Sequence, residues 1–387
     1  MNRVWLFFFA LILLAARPSF AAPGTQYVLA NDDLVPNIVS GVTIYSVASD
    51  GSLSLLGFVD TFGNGINGGL FGANRIRVLN SGDQQCVFSS EAYNGIVAGV
   101  DLGTMNVGGL AAGSPSDDGS GNGVGLAVNS QYLYASYSDS NSIATFALSA
   151  GCGLSFLGDL AVGGLAGGLV NGMAVHGNLM VTTYSDGTIE SFDISGGLPV
   201  ANGDKQFSTA TRRMRGASYP NSIDITSDGR FAIFGDTATS IVVEVSDISS
   251  GRLTAPTVYK SDASISSSTI MLSPDETILY VVNTQGDSVT ALFFNRATGR
   301  LSDGCTSPPI RGHSKRWSYL GGVALANPTG NGGGVYVSEY GERSAVAFLK
   351  LAVNGRTCTL KEHFGSPYVN PHTFGMLSIG TFPPRNF

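Results

Sequence analysis

The sequence predicts an all-β fold, a seven-bladed β-propeller of four-stranded antiparallel blades. Three observations predict it. A strand–turn–strand unit recurs along the chain, the composition suits tight turns joining strands buried on both faces, and the two ends hold complementary parts of one unit.

The unit is clearest from Ile270 to Phe294. The apolar run Ile270-Met271-Leu272 meets Ser273-Pro274-Asp275-Glu276, where proline fixes φ for a type I turn and the serine hydroxyl can bond back to the turn backbone. A β-branched and aromatic strand follows, Thr277 to Asn283, then the polar turn Thr284-Gln285-Gly286-Asp287 and a third strand, Ser288 to Phe294. Ala297-Thr298-Gly299-Arg300 turns the chain into a fourth run at Leu301, which completes a meander.

Innermost strands of the same kind are expected at Ile76-Arg77-Val78, Gly125–Val128, Gly172–Val175, Ser222–Ile225, Ile270–Leu272, Gly322–Leu325 and Phe374–Leu377. Their starts lie roughly 45 to 53 residues apart, a propeller period. One such sheet cannot bury both faces alone, and radial stacking does it while leaving only short edges. At the N-terminal end, Tyr27–Ala30, Gly41–Tyr45 and Leu53–Phe58 read as strands two, three and four of a blade with no first strand. Phe374–Ile379 reads as a first strand with nothing after it. Joining them gives a seventh blade and closes the ring.

Residues 1–21 read as a signal peptide: Arg3, an apolar core from Val4 to Ala16, and the small-residue pattern Ser19-Phe20-Ala21. Residues 22–387 then form one propeller domain, secreted or periplasmic, with no membrane span after cleavage. Charged residues are 13% of the chain and glycines number 52, as expected for turns and two-sided burial. A net charge of -7 argues against nucleic acid as a partner and against docking on anionic lipid. Cys86, Cys152, Cys305 and Cys358 are even in number in an exported chain, so two disulfides are expected. Placing the cysteines in neighbouring blades selects Cys86–Cys152 and Cys305–Cys358. No CxxC spacing suggests zinc, the Gly119–Gly125 run lacks a βαβ context for a dinucleotide, and no cofactor is called for.

Long loops run from each outer strand to the next inner strand, on the face that also carries the turns between strands two and three. Two are basic: Phe207–Asn221 carries Arg212, Arg213 and Arg215, and Pro308–Leu320 carries Arg311, His313, Lys315, Arg316 and Trp317. Asp32-Asp33, Glu91, Asp139, Asp186, Asp236, Asp287 and Glu339 place about one carboxylate per blade near the same face. Such a ring can bind a cation or sugar hydroxyls, or raise one member's pKa; equally, aspartates are ordinary turn caps. His372 enters the closing strand from this side, and His176 and His363 lie away from it.

The run Ser273-Pro274-Asp275, Leu279-Tyr280-Val281-Val282-Asn283 and Gly286-Asp287-Ser288-Val289 resembles the YVTN-type propeller repeat, with Ser227–Phe231 as a second, degraded copy. With seven blades, the chain resembles the lactonase-like propeller family, which includes 6-phosphogluconolactonases and carboxymuconate-lactonising enzymes. The resemblance implies a few His, Arg and Glu side chains on the channel face that open or close a lactone. Here Arg215, Arg316, Glu91, Glu339 and His372 are the residues of those types on that face. Asn171, Asn221 and Ser268 stand where those enzymes lead one to expect histidine-bearing inner strands. Two functions follow: lactone chemistry at the channel mouth, or a non-catalytic monomeric propeller whose loop face binds a small molecule, glycan, peptide or protein.

Overall fold

A computed structural model describes residues 26–32, 39–64, 74–91, 95–112, 123–208, 219–237, 242–260, 267–284, 286–311, 319–326, 333–340, 344–371 and 378–385. These residues form seven antiparallel sheets arranged as blades, and among them the single helical element is a 3-10 turn, Ala150–Cys152. In blades 2 to 7 the strands follow chain order from the axis outwards, and their innermost strands are Ile76–Ser81, Gly123–Val128, Val170–His176, Tyr219–Ile225, Ser267–Leu272 and Tyr319–Leu325.

Blade 1 joins both ends of the chain. Its order from the outside is Leu53–Asn64, Val39–Val47, Tyr27–Asp32 and Ser378–Phe382. Tyr27 faces Phe382 and Asn31 faces Ser378 across the closing pair. The ring therefore closes as expected, and the described part of its closing strand is Ser378–Phe382. Phe374–Leu377 lie outside the described residues.

Packing follows from two-sided burial. The second strands Tyr27–Asp32 and Ile278–Asn283 are buried at every residue, so they read as near-continuous apolar runs with no alternation. The buried hydrophobics form seven clusters, each shared by two adjacent blades. An open array of seven blades would have only six such interfaces. The cluster joining Val28, Tyr45 and Ile379 to Ala324, Tyr336 and Phe348 is the one that closure adds. Near the axis the backbones almost touch. A Cβ on Gly125 would lie 2.5 Å from the Asn171 carbonyl, and one on Gly172 2.6 Å from that of Asn221.

Both disulfides tie neighbouring blades. Cys86 in blade 2 is bonded to Cys152 in the turn between the third and fourth strands of blade 3, and Cys305 and Cys358 join the outer strands of blades 6 and 7. Oxidised cysteines mark an oxidising compartment. No helix among the described residues is long and apolar enough to cross a membrane.

Candidate functional site

Inner strands start at one face of the ring, and the turns between second and third strands return to that face. The axial mouth there is lined by polar side chains from the strand starts. Asn171 Nδ2 donates a short hydrogen bond to Asn221 Oδ1, and Thr269 Oγ1 donates to the Gly321 carbonyl at 2.9 Å. The Arg75 amide donates to Ser378 Oγ at 3.2 Å, and Ser136 Oγ donates to the Asn171 carbonyl at 3.0 Å. Arg75 is fully buried. The Asn171 Oδ1 atom has no hydrogen-bond partner among the described residues.

Behind this collar sit the upper ends of the second strands. Four of the expected carboxylates, Asp32, Glu91, Asp236 and Glu339, end strands and are buried, so they face neighbouring strands and blades rather than an open channel. Asp139, Asp186 and Asp287 lie in the turns. Asp186 behaves as a turn cap, accepting from the amides of Ala166 at 2.7 Å and Gly168 and Thr188 at 3.0 Å. Tyr137, Tyr184 and Asn283 occupy the strand ends of the other three blades. Buried strand-end acids therefore stand in blades 1, 2, 5 and 7, and those of the adjacent blades 1 and 2, Asp32 and Glu91, form one cluster.

That cluster is a buried acid pair. Asp32 shares a short hydrogen bond with the Thr43 hydroxyl, and its Oδ1 accepts from Asn370 Nδ2 at 3.0 Å. Glu91 Oε1 accepts from the Thr61 hydroxyl at 2.6 Å and the Ser89 hydroxyl at 3.3 Å, while Oε2 has no partner among the described residues. Asn31 Nδ2 bridges the two blades, donating to Ser89 Oγ at 2.8 Å and to the Arg75 carbonyl at 3.3 Å. Burial pushes the Asp32 carboxyl up to about 8; Thr43 and Asn370 oppose the shift and the Glu91 charge adds to it. Burial also raises Glu91, opposed by Thr61, Ser40 and Ser89 and by the field of Arg75. A carboxylic acid that keeps its proton near neutrality, coupled to a second one beside a guanidinium, can hold and pass a proton.

The shift has a consequence for stability. Asp32 favours folding in its protonated form, so its contribution is complete below the ordinary aspartate pKa and is lost as pH rises through about 8. Asp32→Asn preserves both partners, since the amide oxygen can accept from Asn370 and the amide nitrogen can donate to Thr43 Oγ1. The variant is expected to melt near the parent at about pH 5 and clearly above it at about pH 9. Melting curves that stay parallel across this range would sink that assignment.

Charged side chains link the inner strands toward the other end of the ring. Arg385, which follows the closing strand, forms a two-pronged pair with Asp224 on the inner strand of blade 5, at 2.8 and 3.0 Å. It also donates to the Ile225 and Leu272 carbonyls at 2.8 and 3.1 Å, at the ends of two inner strands. Arg77 reaches across from blade 2 to the Leu126 carbonyl at 2.7 Å and that of Met173 at 3.0 Å.

Of the residues expected from the sequence, Glu91 and Glu339 are strand-end acids on the mouth side. Arg215, Arg316 and His372 lie outside the described residues, as do Arg212, Arg213, His313, Lys315 and Trp317. Arg311 is described and serves a structural contact, pairing with Glu362 of blade 7 at 3.1 Å. His176 ends the inner strand of blade 4, and His363 follows an outer strand with Tyr368 Oη 3.3 Å from its Nδ1. Sequence reasoning passed over Arg75, Arg77, Asp224 and Arg385. For Arg77 and Asp224 the available signal was charge on innermost strands; Arg75 and Arg385 flank such strands and carried none. Among the described residues no three His, Cys, Asp or Glu side chains come together as metal ligands.

A family model described as lactonase, 7-bladed beta-propeller, matches residues 124–382. Among solved structures, the periplasmic gluconolactonase of Pseudomonas aeruginosa aligns with a TM-score of 0.67 at 14% identity, covering 92% of this chain and 99% of that one. A protein assigned as a 6-phosphogluconolactonase from Bacteroides fragilis aligns at 0.63 and 15% identity, covering 93% and 98%. A protein from Lactobacillus plantarum aligns at 0.56 and 13%, covering 92% and 99%. At these identities the likeness is one of fold. No curated protein matches the chain.

Proposed function

Because the chain belongs to the lactonase family of seven-bladed β-propellers, matched over residues 124–382, we propose that it opens or closes a lactone ring at the collar-side mouth of its channel. The observation that carries this reading is the coupled pair Asp32–Glu91 with Arg75 beside it. In the hydrolytic direction water adds to the lactone carbonyl, the resulting oxyanion is held by guanidinium groups, and the ring C–O bond breaks as its oxygen takes a proton. In this reading Arg215 and Arg316, from the two basic loops, hold the oxyanion or a substrate carboxylate, and His372 moves the proton, relayed through the buried Glu91 or Glu339. The leader-like first 21 residues and the two interblade disulfides support action outside the cytoplasm. A sugar lactone met there fits better than an intracellular sugar phosphate, and the periplasmic gluconolactonase of the same fold agrees with that choice.

The test is a panel of sugar and chromogenic lactones run with the purified oxidised protein and with Glu91→Gln, Arg316→Ala and His372→Ala. Turnover by the parent is expected, with losses of about 10²–10⁴-fold where a proton-transfer group is removed. Arg316→Ala and His372→Ala should leave the melting temperature unchanged. A parent that opens no lactone faster than buffer, while retaining ligands on a glycan array, would overturn the enzymatic reading in favour of a binding propeller.

A further inference from the structure

The two oxygens of Glu91 have different surroundings. Oε1 accepts from the Thr61 hydroxyl at 2.6 Å and from the Ser89 hydroxyl at 3.3 Å, whereas Oε2 is buried with no donor among the described residues. An arriving proton therefore goes to Oε2, since each donor on Oε1 makes that oxygen less basic. A hydroxyl has one hydrogen to donate. Asn31 Nδ2 donates to Ser89 Oγ at 2.8 Å, which occupies a lone pair and leaves that hydrogen for Glu91. The same Nδ2 lies 3.1 Å from the Ser90 carbonyl and 3.3 Å from that of Arg75. Acceptors surround it, so exchanging the amide nitrogen and oxygen would set oxygen against oxygen. Asn31 is fully buried, and its Oδ1 has no donor among the described residues. A buried acceptor left this way is costly, and such costs persist where a group is kept for chemistry. Asn31 stands opposite Ser378 in the closing pair, and Ser378 Oγ accepts from the Arg75 amide at 3.2 Å. The bracket spans blades 1 and 2 and is complete only when the ring is closed.

We propose that Asn31 and Ser89 are positioning residues for the lactone reaction: Asn31 turns the Ser89 hydroxyl onto Glu91 Oε1, which reserves Oε2 for the relayed proton. This role rests on the lactonase reading and makes Glu91, not Glu339, the relay. Ser89 is also among the groups that hold the Glu91 carboxyl down against burial. Arg75 and Asp32, the charged groups beside Glu91, are untouched when Asn31 or Ser89 is replaced. Neither positioning residue touches substrate, so their loss acts on kcat and leaves KM.

The experiment uses the intact oxidised protein and gluconolactone as the probe. Ser89→Ala and Asn31→Ala are expected to lower kcat about 10-fold or more at unchanged KM, as for one lost hydrogen bond to a charged group. Both should move the acid limb of the kcat profile to higher pH, because a donor that favours the ionised carboxyl is gone. Ser89→Thr keeps the hydroxyl and should restore both. Carbon-13 NMR of the glutamate carboxyls, with Glu91→Gln identifying the signal, follows the same titration without turnover. If Asn31→Ala does not fold, Ser89→Ala decides, since it leaves Asn31 its two backbone acceptors. A parent that opens no lactone overturns the lactonase reading and the positioning role with it. An active parent matched in kcat and pH profile by Ser89→Ala overturns the positioning role alone, as does a Glu91 signal that titrates identically in the two.

Discussion

Asp224→Ala is expected to destabilise the protein by about 3–5 kcal/mol, among the largest losses for any single side chain outside the hydrophobic clusters. The carboxylate and Arg385 are nearly buried, and they form the only charge pair described across the axis of the ring. Removing the acid leaves Arg385 uncompensated, and it leaves the Leu272 and Ile225 amides without their side-chain acceptor. The pair itself need contribute little beyond what two apolar residues would; the loss comes from stranding the partner. Asp224→Ala combined with Arg385→Met should therefore recover part of it, with a coupling of opposite sign to the single losses. Urea unfolding of the four proteins measures this directly. An Asp224→Ala loss below about 1 kcal/mol would mean that water reaches Arg385 and solvates it.

Reduction of the two disulfides is the second large effect. Cys86–Cys152 closes 66 residues and Cys305–Cys358 closes 53. Loop-closure entropy in the unfolded chain then assigns about 4 kcal/mol to each. Both links cross a blade boundary, at the 2–3 and 6–7 interfaces, where they brace the ring against splaying. The bonds share no partners, so Cys86→Ser/Cys152→Ser and Cys305→Ser/Cys358→Ser should add when combined. Chemical denaturation with and without reductant reads the sum. A total below about 2 kcal/mol would show that the reduced unfolded chain is already compact and that the entropic account fails here.

The parts of the fold that could be read in advance are those written in repeated local patterns. Gly125, Gly172 and Gly322 recur at one place in three of the inner strands because the backbones there approach too closely for a Cβ. The cysteine pairing followed from the period alone, since it placed each pair in adjacent blades. What local pattern did not carry was register and long-range charge. Tyr27 pairs with Phe382 and Asn31 with Ser378 from the opposite end of the chain, and no local pattern sets that register. Asp32 looks like a turn residue in Asn31-Asp32-Asp33, yet Asn370 from the far end of the chain helps bury it. Arg385 finds Asp224 across 161 positions, and nothing near either residue announces the other. The candidate site was legible as a face and as residue types, but its described chemistry rests on neighbours that only the closed ring brings together.

Residues 378–382 leave the ribosome after every other strand described, yet they complete the first blade that was made. Until they emerge, Tyr27–Asp32 carries a bare row of amides and carbonyls beside an incomplete apolar seam. A nascent or truncated chain is thus an open template to which a sister molecule can add its own strand, and guarding that edge falls to whatever escorts the polypeptide before its final residues arrive.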